Sequence, residues 1–551
     1  MVDSVHYEEP TMTNMTPLLE RNEQFARTYA PVPLGLPSAR RGLALATICA
    51  SIFVISVDTT IVNVALPTLA RTLHATNSQL QWIADAYTLV FAGLLLAAGS
   101  LGDRYGRRGA LALGLCAFAV ASAIASQATS AAALIAARAA MGVGAAMIFP
   151  TTLALLTNIF PAGPQRAKAI AIWAAMTGAA VATGPVVGGW LLEHFWWGSV
   201  FLINVPIAIA AIVAGRLFVP TSRDPATPPV DVGGVVLSIA GITAVIYTII
   251  EASGWGWGNG RTLAGFTLGA VILAGFAAWE RRQRHPMLDL KVFSNRRFSG
   301  ASLAITATSF ALFGFVFVVT QYFQFVRAYT TLGTGVRLLP VAAAIAASSV
   351  IASVLAERVG TTVVVAGGLV LFAAGLGWAS ANSQVTPYAQ IAVQMVLMGA
   401  GMGFTTAPAT DSIMGALSAD KAGVGSAVND TTREFGGTLG VAVVGSLFTS
   451  VYAHRLAGKA AISALPAGSR TAAGRSMAVA YQLAARLSPS LAHRVISAAN
   501  GAFLDGLRVA SLVAAGVAAV GALAVIVLLP ARAATPEVAA VESAEECLDA
   551  A

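Results

Sequence analysis

The sequence predicts an all-α protein that threads a lipid bilayer many times, and three observations carry that expectation. Hydrophobic residues make up 57% of the 551 positions and charged residues only 11%, whereas soluble domains average about 45–50% and about 25%. The apolar residues gather into runs of the length a bilayer demands, roughly 20 residues per helical span. The basic residues fall mainly in short segments between those runs, where Lys and Arg set orientation. Open strands leave backbone groups unsatisfied in lipid, so the runs are read as helices.

Taken in order, residues 1–41 are polar, hold Glu8, Glu9, Pro31, Pro33 and Pro37, and lack the apolar core of a signal peptide. They are expected to form a cytoplasmic tail. Apolar runs bounded by Gly, Pro or charge then begin near residues 42, 78, 109, 131, 168, 199, 232, 262, 300, 336, 361, 387, 423 and 503, giving fourteen expected transmembrane helices. An even number puts both termini on one side. Arg104, Arg107 and Arg108, then Arg166 and Lys168, then Arg281, Arg282, Arg284, Lys291, Arg296 and Arg297 share the side of the N-terminus. The opposite short loops hold Arg71 and Arg261 nearly alone, so both termini are expected to be cytoplasmic. Orientation accounts for the net charge of +8, and no nucleic-acid partner is expected.

One segment departs from this pattern. Residues 453–502 are expected outside yet carry Arg455, Lys459, Arg470, Arg475, Arg486 and Arg494. The charge rule weakens in long loops, and the stretch AVAYQLAARLSPSLAHRVISAA spaces its apolar residues as an interfacial helix does. Residues 531–551 are expected to form an acidic cytoplasmic tail, and Cys49, Cys116 and Cys547 suggest no disulfide framework.

The chain repeats itself. GDRYGRRGALALG at 102–114 returns as AERVGTTVVVAGG at 356–368, with Asp103 and Glu357 separated by 254 positions. MGVGAAMIFP at 141 and MGAGMGFTTAP at 398 are separated by 257. Two matches at nearly one offset imply duplicated halves, as transporters commonly have. Residues 42–220 and 299–530 are then two six-helix bundles, and 221–298 holds two inserted helices and a basic cytoplasmic linker.

Three charges lie inside expected spans: Asp58, Asp85 and Arg138. Each costs about 2.5–3.5 kcal/mol at mid-membrane on insertion scales, so idle placement is disfavoured. At 1.5 Å per residue, Asp58 sits roughly 24 Å from its helix start and Asp85 roughly 10 Å from the outer end of its own, with Arg138 at a similar depth. All three occupy the outer half of one bundle. A carboxylate removed from water holds a proton more tightly, and a nearby cation loosens it. Proton and cationic solute could therefore compete for one acid; the other account is a static Asp–Arg pair that fixes the bundle. In GAAVATGPVVGG at 178–189, Ala180, Gly184 and Gly188 recur every four residues as a close-packing face, and Pro185 is expected to bend the helix near 181. Asp430, Arg433 and Glu434 are spaced for local pairing. No phosphate-cradling loop precedes Gly458 and Lys459, which are followed by Ala460, so ATP drive is not expected. The histidines avoid the span centres and form no ligand cluster, so neither a metal nor another cofactor is expected.

GSLGDRYGRRG at 99–109 crowds Asp103, Arg104, Arg107 and Arg108 into a reversal that Gly102 and Gly106 permit. It resembles the signature loop of the major facilitator superfamily. VDTTIVNVALP at 57–67, ATGPVVGG at 182–189, WWGSVFLINVPIA at 196–208 and GVGSAVNDTTREFGGTLGVAV at 423–443 resemble stretches of that superfamily's fourteen-helix drug:proton antiporter branch. The similarity extends over about residues 42–530. It implies the major facilitator fold, two bundles rocking about a central cavity, with the 102–108 hairpin latching them on the cytoplasmic side and the start of the helix near 423 as a partner for Asp103. It further implies proton coupling and cation recognition by Asp58 and Asp85, proton transfer by Arg138, and an exchange-favouring contact at Gly184, Pro185, Gly188 and Gly189. The function implied is non-enzymatic: a functional monomer in the cytoplasmic membrane exports lipophilic, cationic small molecules in exchange for protons. Export of an endogenous metabolite or self-made antibiotic is the first alternative, a proton-coupled importer the second and a non-transporting receptor the third.

Overall fold

The structure is a computed structural model that describes residues 38–160, 164–223, 231–283, 286, 290–416 and 422–529. The expected tails, for residues 1–37 and 531–551, and the linker residue Arg284 lie outside the described residues.

Among the described residues all regular structure is helical. The long helices are α1 (Ser38–Thr72), α2 (Asn77–Tyr105), α3 (Arg107–Ser126), α4 (Ala131–Ile159), α5 (Pro164–His194), α6 (Asn204–Phe218) and α7 (Val232–Trp255). They continue as α8 (Gly260–Glu280), α9 (Arg296–Gln321), α10 (Leu339–Val359), α11 (Thr361–Ala379), α12 (Tyr388–Gly415), α13 (Ala422–Ala457) and α14 (Pro489–Leu528). Twelve helical stretches among the described residues are long and apolar enough to cross a membrane. α2 makes a thirteenth if its segments Asn77–Leu95 and Ala97–Tyr105, which meet at 54°, form one span.

All but the last of these helices begin within about five residues of the positions the apolar runs predict. The last differs for a physical reason. Ser488 is the N-cap and Pro489 opens the helix, where a missing backbone donor does no harm. The polar residues 489–500 therefore continue into the apolar span instead of forming a loop. The single interfacial helix expected over 478–499 is in fact divided: Met477–Ala484 is a separate short helix, and α14 takes the remainder. In the short helix Met477, Ala478, Ala480 and Ala484 are buried against the protein.

Helices α1–α6 pack among themselves, as do α9–α14. The two groups meet where α2 lies against α13 and where α5 lies against a short helix, Thr331–Arg337, that precedes α10. α7 wedges against α2 and α13, and α8 packs along α7. Tight glycine turns set the reversals. Gly106, at φ 120°, joins α2 to α3 and returns its N–H to the Gly102 carbonyl at 3.0 Å. Gly360, at φ 93°, joins α10 to α11 and returns its N–H to the Ala356 carbonyl at 3.0 Å. These glycines are separated by the same 254 positions as the sequence repeat, and both hold a conformation that side-chain-bearing residues rarely adopt. The Gly106 hairpin marks one end of the molecule; the turn at His74, between α1 and α2, marks the other.

Candidate functional site

Five helices of the first group converge on one buried ion pair. Asp58 on α1 is fully buried, and Arg138 on α4 is 1% exposed. The Arg138 guanidinium donates to Asp58 Oδ2. Asp58 Oδ1 accepts from Asn204 Nδ2 of α6 at 2.9 Å, and the same amide reaches Ser122 Oγ of α3 at 3.0 Å. Ser122 in turn donates to the Phe201 carbonyl at 2.8 Å. Arg138 Nε donates to the Ile83 carbonyl of α2 at 3.1 Å, and its guanidinium lies 4.4 Å from the centre of the Tyr87 ring. The Tyr87 hydroxyl donates to the Ile55 carbonyl at 3.3 Å, closing the network back onto α1.

Sequence explains how a long cationic side chain fits here. A Cβ on Gly142, one turn beyond Arg138, would stand 2.6 Å from the Tyr87 carbonyl oxygen. The bare glycine lets α4 lie against α2, so that Arg138 reaches the Ile83 carbonyl. Both charges are thereby desolvated together, and their mutual attraction stands in for lost water. A proton that neutralises Asp58 would free a buried guanidinium. A cationic guest would have to compete with that guanidinium for the carboxylate.

The three intramembrane charges do not form one cluster. Asp85 is also buried, but it lies on another face of α2. Gln81, four residues earlier, abuts Gly445 of α13. Thr88, three residues later, accepts from Thr438 of α13 at 2.9 Å. Helical spacing puts Asp85 on that same face, whereas Ile83 and Tyr87 face Arg138. Among the described residues Asp85 Oδ2 has no hydrogen-bond partner, and neither does either side-chain polar atom of Gln81. Asp430 pairs locally as its spacing predicts, accepting from Asn429 at 3.2 Å and lying 3.5 Å from Arg433.

Three residues of this region escaped the sequence reading. Asn204 and Ser122 are lone polar residues in apolar stretches, and that isolation was the available signal. Tyr87 gave none, since an aromatic in a span is ordinary core. Glu434 of α13, which its spacing marks only for local pairing, lies one turn before Thr438, the residue that meets Thr88 of α2.

The glycine segment of α5 serves two neighbours. A Cβ on Gly184 would collide with Thr60 of α1, and one on Gly188 would come 2.5 Å from Ile61. Thr60 also donates to the Ala180 carbonyl at 3.1 Å. That face therefore packs within its own bundle. Gly189 and Pro185 turn the other way: a Cβ on Gly189 would lie 2.6 Å from Leu332 Cα, and the Pro185 carbonyl abuts Gly335.

Apart from the Thr438–Thr88 bond near the middle of α13 and α2, the hydrogen bonds between the two groups, among the described residues, lie in the half of the molecule toward His74. Thr331 donates to the Gly189 carbonyl at 3.1 Å, Leu332 N–H to Glu193 at 3.2 Å, and Gln324 to the Val64 carbonyl at 2.8 Å. Gln324 sits in a π-helical turn, Tyr322–Val326, that extends α9; such turns often mark functional positions. Over that end, Gln482 of the short helix Met477–Ala484 donates to the Arg71 carbonyl at 3.1 Å, and Arg71 stacks 5.1 Å from the Phe325 ring centre. At the opposite end Asp103 accepts from Arg107 at 2.6 Å within its own hairpin. Arg107 N–H donates to the Ser222 carbonyl at 2.9 Å and Arg108 to the Val219 carbonyl at 3.5 Å, tying the hairpin to the end of α6. Arg104 lies over Tyr105, and a Cβ on Gly102 would meet Thr151 of α4. The expected partner of Asp103 at the start of α13 falls on residues whose side chains lie outside the described ones.

Comparisons with known proteins agree with this architecture. Residues 48–441 match the Major Facilitator Superfamily. The chain is 36% identical over 488 residues to the multidrug efflux pump LfrA of Mycolicibacterium smegmatis, covering 87% of this chain and 96% of that protein. It is 33% identical to the tetracenomycin C resistance and export protein of Streptomyces glaucescens (87% and 90% covered). Against the methyl viologen resistance protein SmvA of Salmonella typhimurium the identity is 35% (84% and 93% covered). Among solved structures, a bacterial homologue of the human lysosomal transporter Spinster superposes with a TM-score of 0.62 at 14% identity, covering 90% of this chain and all of the other. Fold, motifs and relatives converge, and the chain belongs to the Major Facilitator Superfamily, in the branch that holds these multidrug efflux and resistance proteins.

Proposed function

We propose that this protein exports lipophilic cationic compounds across the cytoplasmic membrane in exchange for protons, acting as a monomer with Asp58 as the shared binding group. The observation that carries the reading is the Asp58 carboxylate held between Arg138 and Asn204 with no exposure to solvent. An acid so enclosed can be neutral with a proton or balanced by a cation, and simultaneous occupation would leave excess charge in a low-dielectric site. Asp85, on the α2 face toward α13, acts as a second proton-accepting group. The names of the relatives, efflux and resistance proteins for several unrelated compounds, support a drug-exporting role.

In this reading α5 crosses the membrane as well, making fourteen spans. Residues 42–220 and 299–530 form the two rocking bundles around the inserted pair within 221–298. Both termini and the Gly106 end face the cytoplasm, as the Arg distribution supports. Contacts gathered in the His74 half support a conformation open toward the cytoplasm. The test uses purified protein in liposomes with an acidic lumen. Uptake of ethidium or tetraphenylphosphonium that collapses when the pH difference is abolished is expected; uphill movement without a pH difference or a voltage would overturn the exchange. A narrower reading, export of a self-made antibiotic, is favoured by the similarity to the tetracenomycin C export protein.

The hairpin role has its own prediction. The Asp103–Arg107 pair is partly exposed, and pairs of that kind contribute about 0–1 kcal/mol. Asp103→Asn is therefore expected to leave thermal unfolding nearly unchanged while transport falls sharply. Equal transport in both proteins would reduce Asp103 to an ordinary turn residue.

A further inference from the structure

A cavity of about 670 Å³ lies away from the buried charges, between α7 and α8. Thr243, Tyr247 and Trp255 of α7 and Ala264, Leu268 and Ile272 of α8 line it, with Arg261 at its His74 end. The Tyr247 and Trp255 rings meet edge-on at 5.8 Å, and Tyr247 rests against Trp82 of α2 at 6.1 Å, so this wall is braced by the bundle. α8 has few buried positions, and Leu263, Leu268 and Val271 face outward. The groove thus opens to the surface that the bilayer covers. Arg261 has its backbone N–H bound by Asn259 at 2.9 Å. Its guanidinium has no ion pair, hydrogen bond or ring contact among the described residues.

We propose that this groove binds an anionic diacyl phospholipid, with the phosphate on Arg261 and one acyl chain laid between α7 and α8. Depth and charge both select this occupant. From Arg261 to Ile272 the groove descends roughly 16 Å along the helix, about half of a hydrocarbon core of about 30 Å. A cation and an aromatic therefore stand at headgroup level above an apolar slot that ends near mid-bilayer, and Trp and Tyr favour that level. A lipophilic cation would meet Arg261 at the mouth and be repelled. A zwitterionic lipid offers a phosphate but offsets it with its own positive charge.

Native mass spectrometry of the full chain in detergent, titrated separately with dioleoylphosphatidylglycerol and dioleoylphosphatidylcholine, tests the assignment. The wild-type protein should retain phosphatidylglycerol at the lower lipid concentration. Arg261→Ala should weaken that binding about fivefold, the effect of one basic residue at an anionic membrane surface, and leave phosphatidylcholine unchanged. Ala264→Trp, which fills the slot without touching the charge, should weaken both lipids. Phosphatidylglycerol binding that neither variant changes would overturn the proposal, as would its displacement by tetraphenylphosphonium, which would make the groove a cargo site. The readout is lipid binding, so it stands or falls independently of transport.

Discussion

Asp58→Asn is expected to reduce proton-driven efflux to background and to destabilise the protein. The two effects can be separated. Removing one partner of a buried ion pair leaves the other charge uncompensated, at a cost of about 3–5 kcal/mol. The introduced amide would retain a neutral oxygen for Asn204 but would leave Arg138 sealed among α1, α2 and α4 with only the Ile83 carbonyl and the Tyr87 ring as partners. A second substitution, Arg138→Met, restores neutrality. Replacing a buried ion pair by apolar groups is often neutral or stabilising by about 1–4 kcal/mol, so Asp58→Asn with Arg138→Met should recover much of the lost thermal stability in detergent. If the pair is only a brace, transport recovers with stability. If Asp58 exchanges a proton for a cation, the double variant folds and still does not transport. Dye efflux and unfolding temperature measured on the same preparations distinguish the outcomes.

Much of the fold was legible because the membrane imposes one rule on every span: a long apolar run between polar breaks. Helix starts follow from it; the internal repeat rests instead on two motif matches at nearly one offset, and Gly106 and Gly360 show it in backbone geometry. The beginning of α14 was not legible, because Pro489 and the polar residues after it look like loop until the protein surface that buries the neighbouring short helix is known. The candidate site was legible in identity and only partly in arrangement. Insertion cost singles out Asp58, Asp85 and Arg138 without revealing rotation about a helix axis. Asp85 is two residues from both Ile83 and Tyr87, and that separation alone turns it from Arg138 toward α13. In the same way, the four-residue period of Ala180, Gly184 and Gly188 correctly signals close packing, but it cannot say that the neighbour is α1 and not the other bundle.

That distinction changes which glycine tests closure. Gly188→Leu would force apart α5 and α1 inside one bundle, so loss of exchange there would not isolate movement between bundles. Gly335 does. A Cβ at that position would lie 2.6 Å from the carbonyl carbon of Pro185, and backbone on a packed helix cannot rotate away as a side-chain end can. Gly335→Ala should therefore separate the bundles at the His74 end. Overpacking of this kind costs about 1–3 kcal/mol, a shift of roughly 5- to 150-fold in a two-state equilibrium. Local helix stability works in the opposite direction, since Ala favours a helix over Gly by about 1 kcal/mol, so loss of function could not be charged to unwinding of Thr331–Arg337. Spin labels at His194 and Val385, exposed positions at the His74 end of the two bundles, report the separation once Cys49, Cys116 and Cys547 are replaced. Gly335→Ala should move the distance distribution outward and suppress efflux, whereas Gly178→Ala, with open space around its new methyl, should do neither. An unchanged distribution with normal efflux in Gly335→Ala would mean that the contact between Pro185 and Gly335 does not hold the exit shut.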